Sequence, residues 1–428
     1  MRISNVRWLL VAWIFVLSAV AFLDRVNISI AASFLATTYH LSDVHLGWIF
    51  SAFLVGYALS QTPGGRLVDR LGPRRVLAAG VLWWGLFTAL TAMLPAGITG
   101  ALGLLIAIRF LFGAGEAVVY PAANRFVSQW IPKQERGIAN GWIFAGVGAG
   151  AGLSPPLITY IVVHYGWRAS FYVCAVIGVL AGAVWYVLAR DSPAEHPFIS
   201  SDELAFIRAG LPAPPSKAAS KRLVPWGKVI KSKDVLAVTL SYFCFGYVAW
   251  IFFSWFYTYL ARVRGLNLKA SAFYAMLPFI AMGICSPLGG AISDRLTKWK
   301  GARLGRCGVA AFGIAVAAVF LTLGSLVHSA RLASVVLAGG AGALYLAQSS
   351  FWSVTADIAG NSSGSVSGFM NMGAQFGGAV TASLTPWIAA RYGWTVSFLT
   401  AAALCLLGSA SWLVVDPSGT LEEVDQST

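Results

Sequence analysis

Two acidic and two basic residues lie inside long apolar stretches of this sequence. Asp24 and Arg25 are adjacent in FLDRVNISIA (22–31), and Arg109 and Glu116 stand seven residues apart in a second apolar stretch. A single charge at the centre of a lipid bilayer costs about 3 kcal/mol or more. Such charges need mutual pairing or a water-filled cavity, so a chain that keeps four of them is expected to use them.

These residue types suit proton transfer and anion binding. Burial favours the neutral, protonated form of a carboxyl group, so Asp24 and Glu116 are predicted to carry protons. An arginine keeps its charge, and its planar guanidinium matches a carboxylate, so Arg25 or Arg109 is predicted to hold the carboxylate of an organic anion. Arg109 and Glu116 share a helix face, and we expect them to pair until Glu116 is protonated. The alternative is a set of buried salt bridges that orient helices.

Composition identifies the elements that would position these charges. Of the 428 residues, 58% are hydrophobic and only 11% are charged, whereas a water-soluble domain has about 25% charged residues. A helix needs about 20 apolar residues to cross the hydrocarbon core. The sequence therefore predicts an all-α membrane protein with twelve transmembrane helices. The predicted spans are 8–36, 43–69, 74–95, 100–129, 137–163, 168–189, 235–262, 270–293, 304–327, 332–357, 364–390 and 394–415.

Basic residues indicate the orientation of the spans. Of the 30 Lys and Arg residues, 22 fall on the side of the N-terminus and six on the opposite side. Because cytoplasmic loops carry the excess of basic residues, both termini are predicted to be cytoplasmic. The net charge of +14 is attributed to these loops beside anionic lipid, and no nucleic-acid partner is expected. The predicted domains are an N-terminal six-helix bundle (1–190), a cytoplasmic linker (191–234) with an amphipathic segment at 200–210, and a C-terminal six-helix bundle (235–428).

The second span of each half ends in a related motif, GGRLVDRLGPRR (64–75) and GGAISDRLTKWK (289–300). Such a repeat is typical of two six-helix units related by a pseudo-two-fold axis. Asp69 lies at a helix C-terminus, where its charge opposes the helix dipole, so we expect a nearby Arg or another helix's N-terminus as its partner. The alternative is a basic turn with an incidental acid. The motif residues predicted to form this contact and its turn are Gly65, Asp69, Arg70, Gly72, Arg74, Arg75, Asp294 and Arg295.

Uncharged polar residues in other spans are candidate contacts for the body of the anion. They are Tyr57 in the second span, Gln348, Ser349 and Trp352 in the tenth, and Asn371 in the eleventh. Their hydroxyl and amide groups suit the hydroxyl groups of a sugar acid. The alternative is hydrogen bonding between helices, which such side chains often provide in bilayers.

The stretch from Gly65 to Arg75 resembles the signature loop of the major facilitator superfamily. RFLFGAGE (109–116), followed by Pro121, resembles its fourth-helix motif, and FLDRVN (22–27) and WFYTYL (255–260) are similar to its anion:cation symporter family. Position 257 is Tyr where many members of that family have Pro. The resemblance implies proton-coupled symport of sugar acids or other organic anions, with the two acids in proton coupling and the two arginines at the anion.

Other functions are disfavoured by what the sequence contains. The histidines lie in loops or at span ends and no HExxH or GxSxG motif occurs, so no enzyme activity, cofactor or metal is predicted. A sugar-phosphate exchanger would need a deep basic residue in each half, and spans seven to twelve have none. The remaining alternative is a proton-coupled drug or metabolite exporter, which has less need of two intramembrane arginines. We expect a monomeric symporter in the cell membrane, a bacterial inner membrane, whose partners are an organic anion, protons and lipid.

Overall fold

The computed structural model describes residues 4–211, 223–256, 259–266 and 268–421. Tyr257 and the linker segment 212–222 lie outside these residues. Ten helical runs in the described chain are long and apolar enough to cross a membrane, and the longest, Ala330–Tyr392, contains two consecutive predicted spans. The helix Asp43–Leu71 has the length of a crossing helix but carries more polar residues.

Twelve helical stretches correspond to the twelve predicted spans, and the predicted fold class is confirmed. We number them α1 to α12 as crossing helices. Their bounds are α1 (Val6–Tyr39), α2 (Asp43–Leu71), α3 (Pro73–Met93), α4 (Ala101–Glu116 and Val119–Trp130), α5 (Arg136–Tyr165), α6 (Trp167–Leu188), α7 (Lys233–Ser254), α8 (Leu268–Lys300), α9 (Val309–Leu326), α10 (Ala330–Leu346 and Gln348–Ala359), α11 (Ser363–Tyr392) and α12 (Trp394–Ser411).

Glycines in the left-handed backbone region join helices at matching places in the two halves. Gly72 links α2 to α3 with a φ of 87°, and Gly301 links α8 to α9 with a φ of 88°. Gly166 and Gly393 join α5 to α6 and α11 to α12 in the same way. A residue with a Cβ atom would be strained at these angles. The second-half motif, which has no glycine directly after its Asp-Arg pair, thus makes its turn at Gly301.

Helices α4 and α10 are interrupted, although the sequence predicted continuous spans there. In α4 the interruption precedes Pro121, which lacks an N–H and whose ring crowds the carbonyl of Ala117. In α10 it falls at Ala347, whose N–H bonds three residues back to Leu344. The interruptions place Glu116 at the end of one helical segment and Gln348 at the start of another.

The two halves meet where α2 packs on α11 and α5 packs on α8. Gly65 of α2 faces the backbone of Gly364, and Gly290 of α8 faces the backbone of Gly137. A Cβ atom at either position would overlap backbone atoms of the facing helix. These glycines therefore let the helices approach backbone to backbone, as small residues do in membrane helix pairs.

The predicted amphipathic segment of the linker forms the helix Ser201–Gly210, which packs on the first half. Glu203 is completely buried. It accepts hydrogen bonds from the backbone N–H groups of Val6 (3.1 Å) and Arg7 (3.2 Å) and from the Arg7 side chain (2.9 Å). A carboxylate of the linker thus caps the N-terminus of α1, where the helix dipole favours negative charge.

Candidate functional site

A cavity of about 640 Å³ lies between the two halves. Its wall is formed by α1, α2, α4 and α5 of the first half and by α7, α8, α10 and α11 of the second. The lining extends to Phe50 in α2 and Ala382 in α11, away from the end of the molecule at which Asp69 and Asp294 lie. Its volume is within the range of small-molecule sites, roughly 300–1,000 Å³.

Arg25 and Glu116 form an ion pair at this wall. Arg25 Nε donates to Glu116 Oε1 over 2.6 Å, and the Glu116 side chain is fully buried. The prediction that Glu116 pairs with Arg109 is wrong. Seven helical residues separate Arg109 and Glu116 by about 10 Å along the axis, whereas Arg25 reaches Glu116 from a different helix.

The guanidinium of Arg25 is also held against aromatic rings. Its central carbon lies 4.6 Å from the ring centre of Phe22, 4.7 Å from that of Tyr57 and 5.3 Å from that of Phe53. Such contacts attract a cation to the ring face. Arg25 Nη2 has no hydrogen-bond partner, so the side chain keeps donor capacity while its Nε is paired.

Arg109 lines the same cavity from α4. Its guanidinium lies 4.4 Å from the ring centre of Phe112 and 5.1 Å from that of Phe53, so both cations share Phe53. Arg109 Nε is buried without a hydrogen-bond partner. The arrangement leaves unpaired N–H donors of two guanidinium groups at one wall, which suits a carboxylate.

Asp24 lies behind the cavity wall rather than in it. Its side chain is buried, and neither carboxylate oxygen has a hydrogen-bond partner. Trp84 of α3 and Cys174 of α6 lie beside the carboxyl group, and Asn27 donates to the Cys174 sulfur over 3.6 Å. Burial disfavours an isolated carboxylate, and Arg109 is the basic side chain that acts on Asp24 most strongly.

The predicted polar contacts divide into two groups. Tyr57, Gln348 and Asn371 line the cavity. The Tyr57 hydroxyl, Gln348 Oε1 and Asn371 Nδ2 are buried and have no hydrogen-bond partners. Ser349 and Trp352 are buried and do not belong to the lining.

Tyr242 is a cavity residue that the sequence did not single out. Its hydroxyl accepts hydrogen bonds from Gln348 Nε2 (2.9 Å) and Trp352 Nε1 (3.1 Å). Trp352 therefore acts on the cavity through Tyr242. The predicted seventh span carries aromatic residues on every face, so spacing alone gave no signal for Tyr242.

A first set of contacts closes one end of the molecule, which we call the latch end. Asp69 accepts hydrogen bonds from the backbone N–H groups of Gly364 (2.9 Å) and Ser365 (2.7 Å) at the start of α11. The Ser365 hydroxyl donates to the same carboxylate over 2.5 Å, and Arg125 Nε lies 3.9 Å from it. Asp69 thus contacts both kinds of partner that the sequence suggested.

Asp294 makes the equivalent contact from the second half. It accepts from the N–H groups of Gly137 (2.8 Å) and Ile138 (2.7 Å) at the start of α5, and Arg306 pairs with it over 2.5 Å. Asp357 extends this network, because it pairs with Arg136 over 2.6 Å and lies 3.6 Å from Arg306. Arg136 and Arg306 are among the 22 basic residues on the side of the N-terminus, and both are buried.

The remaining motif residues lie around the same end. Arg70, Arg75 and Arg295 are exposed. Gly72 faces the carboxylate of Asp191. That carboxylate accepts a hydrogen bond from the backbone N–H of Arg74, at the start of α3, over 2.9 Å. A Cβ atom at position 72 would lie within 2.7 Å of that carboxylate, so glycine is needed both for the turn and for this cap.

The chemistry of the site is that of charge and hydrogen bonding. Within the described ranges, no group of three or more His, Cys, Asp or Glu side chains is placed to hold a metal ion. What the cavity presents is one cationic wall, a cluster of rings, and a few unpartnered hydroxyl and amide atoms. This arrangement can bind and release an organic anion without altering it.

Known proteins of the same shape and sequence pattern are membrane transporters. The family model described as Major Facilitator Superfamily matches residues 14–382. A probable sulfoacetate transporter of Cupriavidus necator is 32% identical over 409 residues, which cover 95% of this chain and 93% of that protein. A hexuronate transporter of Bacillus subtilis is 29% identical over 96% of this chain and 97% of its own length.

A solved structure shares the fold at lower sequence identity. It is the proton:xylose symporter XylE bound to 6-bromo-6-deoxy-D-glucose, with a TM-score of 0.72, 16% identity and coverage of 97% of this chain and 98% of that one. The family match and the relatives spanning nearly the whole chain agree with the twelve-helix architecture. The chain therefore belongs to the major facilitator superfamily, and it is a membrane transporter rather than an enzyme.

Proposed function

We propose that this protein carries a small organic anion across the cell membrane together with protons, by alternating access between its two halves. The observation that carries this proposal is the Arg25–Glu116 pair at the cavity wall, with an Nε–Oε1 distance of 2.6 Å. It joins a permanent cation that faces the cavity to a carboxyl group that can take up a proton. Binding of an anion and binding of a proton would therefore act on the same pair.

The anion would bind at Arg25 and Arg109. Both line the cavity, and both keep N–H donors without partners. The relatives described as transporters of sulfoacetate, hexuronate and galactarate or D-glucarate support an acidic substrate. An exporter of neutral or cationic drugs would have no use for two guanidinium groups at one wall.

A proton on Glu116 would release Arg25. While Glu116 is ionised, its carboxylate occupies Arg25 Nε, and the pair is neutral. Protonation removes the negative charge, so Arg25 then needs another anion, which the substrate supplies. With an ionised Asp24 balancing Arg109, a cavity that held only the proton or only the substrate would contain one uncompensated charge, and such states are disfavoured inside a membrane. This difference would couple the two movements.

Asp24 is proposed as a second proton carrier. Its oxygens have no hydrogen-bond partners and it lies behind Arg25, out of the cavity lining. Arg109 and Glu116 are the charged groups that act on it most strongly. Its protonation would thus depend on the charge state of the cavity without requiring contact with the substrate.

The conformation supports alternating access. The latch end is closed by the capping contacts of Asp69 and Asp294, while the cavity lining extends toward the other end. We place the latch end in the cytoplasm, because the excess of Lys and Arg lies on that side. With the latch end in the cytoplasm, the described conformation is one in which the cavity faces outward. Breaking the Asp69 and Asp294 contacts at the latch end would give the inward-facing state.

The experiment compares two modes of transport in vesicles that contain the purified protein. A panel of sulfoacetate, D-glucuronate and D-glucarate is tested for exchange between equal internal and external concentrations and for accumulation driven by a proton gradient. Glu116→Gln is expected to retain exchange and lose driven accumulation. Glu195→Gln, at an exposed site in the linker, serves as the control. Unchanged driven accumulation in the Glu116 variant would refute its role in proton coupling.

A further inference from the structure

One part of the second-half wall of the cavity is built from aromatic rings. Phe245, Trp250 and Phe253 of α7 and Phe279 of α8 form this ring wall. The ring centre of Phe253 lies 5.6 Å from that of Trp250 and 5.0 Å from that of Phe279, so these three rings form a continuous surface. In the described parts of α7 and α8, no amide or charged side chain lines the cavity, and the hydroxyl side chains there are Tyr242, which already accepts two hydrogen bonds, and Ser254.

The ring wall is connected to the cationic wall through one pair of rings. Phe22 of α1 and Phe253 have ring centres 5.9 Å apart, and this contact joins the two halves. The Arg25 guanidinium lies over the same Phe22 ring at 4.6 Å. A ligand whose carboxylate is held by Arg25 would therefore place its body at the contact between Phe22 and Phe253.

This surface favours some organic anions over others, according to the group that is attached to the carboxylate. A hydroxyl group buried against rings loses its hydrogen bonds to water and gains none, which is unfavourable. A polyhydroxylated chain needs a partner for each hydroxyl, whereas the ring wall has no polar side-chain atom apart from the indole N–H of Trp250. An aromatic body gains ring contacts with centres about 4.5–7 Å apart, the separation already present between Phe22 and Phe253.

The amides of the cavity do not change this conclusion. Gln348, Asn371 and Gln375 line the cavity from α10 and α11 rather than from α7 and α8. Their atoms without partners are Gln348 Oε1, Asn371 Nδ2 and Gln375 Oε1. Three such atoms at one side of the cavity suit a single polar substituent better than a hydroxyl on every carbon.

We infer that the anion carried by this protein is a carboxylate whose body is an aromatic ring, packed against the surface that Phe22 and Phe253 form. This inference rests on the proposed function, because it assumes that the cavity carries an organic anion. It narrows the substrate class beyond the sugar acids that the polar residues alone suggested. The carboxylate lies at Arg25 and Arg109, and the ring of the anion packs against Phe22 and Phe253 from the cavity side.

The test measures binding of two monocarboxylates by titration calorimetry, with the purified protein in lipid nanodiscs. Phenylacetate has an aromatic body, and D-gluconate has a hydroxylated one of the same charge. The dissociation constant of phenylacetate is expected to be at least tenfold lower. Equal or tighter binding of D-gluconate would overturn the inference.

Two variants of one residue show whether the ring wall causes the preference. Phe253→Gln adds an amide and is expected to reduce the ratio of the two dissociation constants at least threefold. Phe253→Leu stays apolar and is expected to keep phenylacetate preferred. Because the ratio is measured within one variant, it does not depend on how much protein is folded. An unchanged ratio in Phe253→Gln would also overturn the inference.

Failure of the inference can be told apart from failure of the proposed function. If neither monocarboxylate binds while sulfoacetate, D-glucuronate or D-glucarate is exchanged, only the inference fails. If no organic anion binds or is exchanged, the proposed function fails as well.

Discussion

Asp69 and Asp294 lie at the same end of the molecule, and each caps the first turn of a helix from the other half. Asp69 accepts hydrogen bonds from two backbone N–H groups at the start of α11 (2.9 and 2.7 Å). Asp294 accepts hydrogen bonds from two backbone N–H groups at the start of α5 (2.8 and 2.7 Å). The helix dipole favours a carboxylate at this position. Because both contacts cross between the halves, they stabilise the closed latch end relative to any conformation that separates these helices.

Asp69→Asn is therefore expected to shift the protein toward an open latch end. The side chain keeps its shape but loses the charge that strengthens its hydrogen bonds. The free energy of the closed latch end should therefore rise by about 1–1.5 kcal/mol relative to the open one. The population ratio of the two conformations should change roughly tenfold. The measurement is the distance between spin labels introduced by Leu71→Cys and Trp299→Cys, which are exposed positions of the two halves.

Asp294→Asn should act in the same direction and more strongly. Asp294 pairs directly with the fully buried Arg306 at 2.5 Å, whereas Arg125 approaches Asp69 only to 3.9 Å. Loss of the Asp294 charge leaves a buried guanidinium with Asp357 alone as its acid, at 3.6 Å. Label distances that stay unchanged in both variants would show that the caps do not control closure.

Gly65→Ala tests the close approach of α2 and α11 without any change in charge. The new Cβ atom would overlap the backbone of Gly364, and overpacking of this kind costs about 1–3 kcal/mol. We expect the same label pair to report a more open latch end and the rate of uptake to fall. Gly47→Ala on the same helix is the control, because nothing lies within 4 Å of its Cβ position. Equal effects of both variants would contradict the packing argument.

The course of the helices could be predicted from sequence because a crossing helix must be apolar for about 20 residues. The interruption of α4 is also present in the sequence as Pro121. The interruption of α10 at Ala347 has no such residue. Local composition therefore predicted where the helices run but neither of the two places where they break at the cavity, although Pro121 marks the first of them.

The pairing inside the site could not be predicted in the same way. Spacing shows which residues share a face of one helix, and it suggested Arg109 for Glu116. It does not show which helix packs against that face, so the reach of Arg25 to Glu116 was missed. For the same reason Arg306 and Asp357 were not recognised as partners, because they are 51 residues apart and belong to different helices.

The Arg25–Glu116 pair predicts a strong dependence of stability on both partners. Arg25→Met leaves the fully buried Glu116 carboxyl without its cation, which should cost about 3–5 kcal/mol of unfolding free energy. The double variant Arg25→Met with Glu116→Gln removes both charges and should recover most of that loss. Unfolding in detergent, followed by circular dichroism, gives the comparison. A double variant as unstable as Arg25→Met would show that the pair is not the cause.

The linker provides the last prediction, because Glu203 fixes the N-terminus of α1. Its carboxylate accepts two backbone N–H groups of α1 and the Arg7 side chain, and the Ser4 hydroxyl donates to it over 2.7 Å. Glu203→Gln removes the charge but keeps the shape, so it should weaken these contacts by about 1–2 kcal/mol. Faster hydrogen exchange of the amides in Ser201–Gly210 and in the first turn of α1 is the expected result.

Asp202→Asn is the matched control for this experiment. It removes an equal charge from the same first turn of the linker helix, so it changes the interaction with that helix's own dipole to a similar degree. No described contact joins Asp202 to α1, and the exchange rate in α1 should therefore stay the same in this variant. If both variants accelerate exchange in α1 equally, general loss of helix stability explains the effect, and Glu203 does not act as the cap.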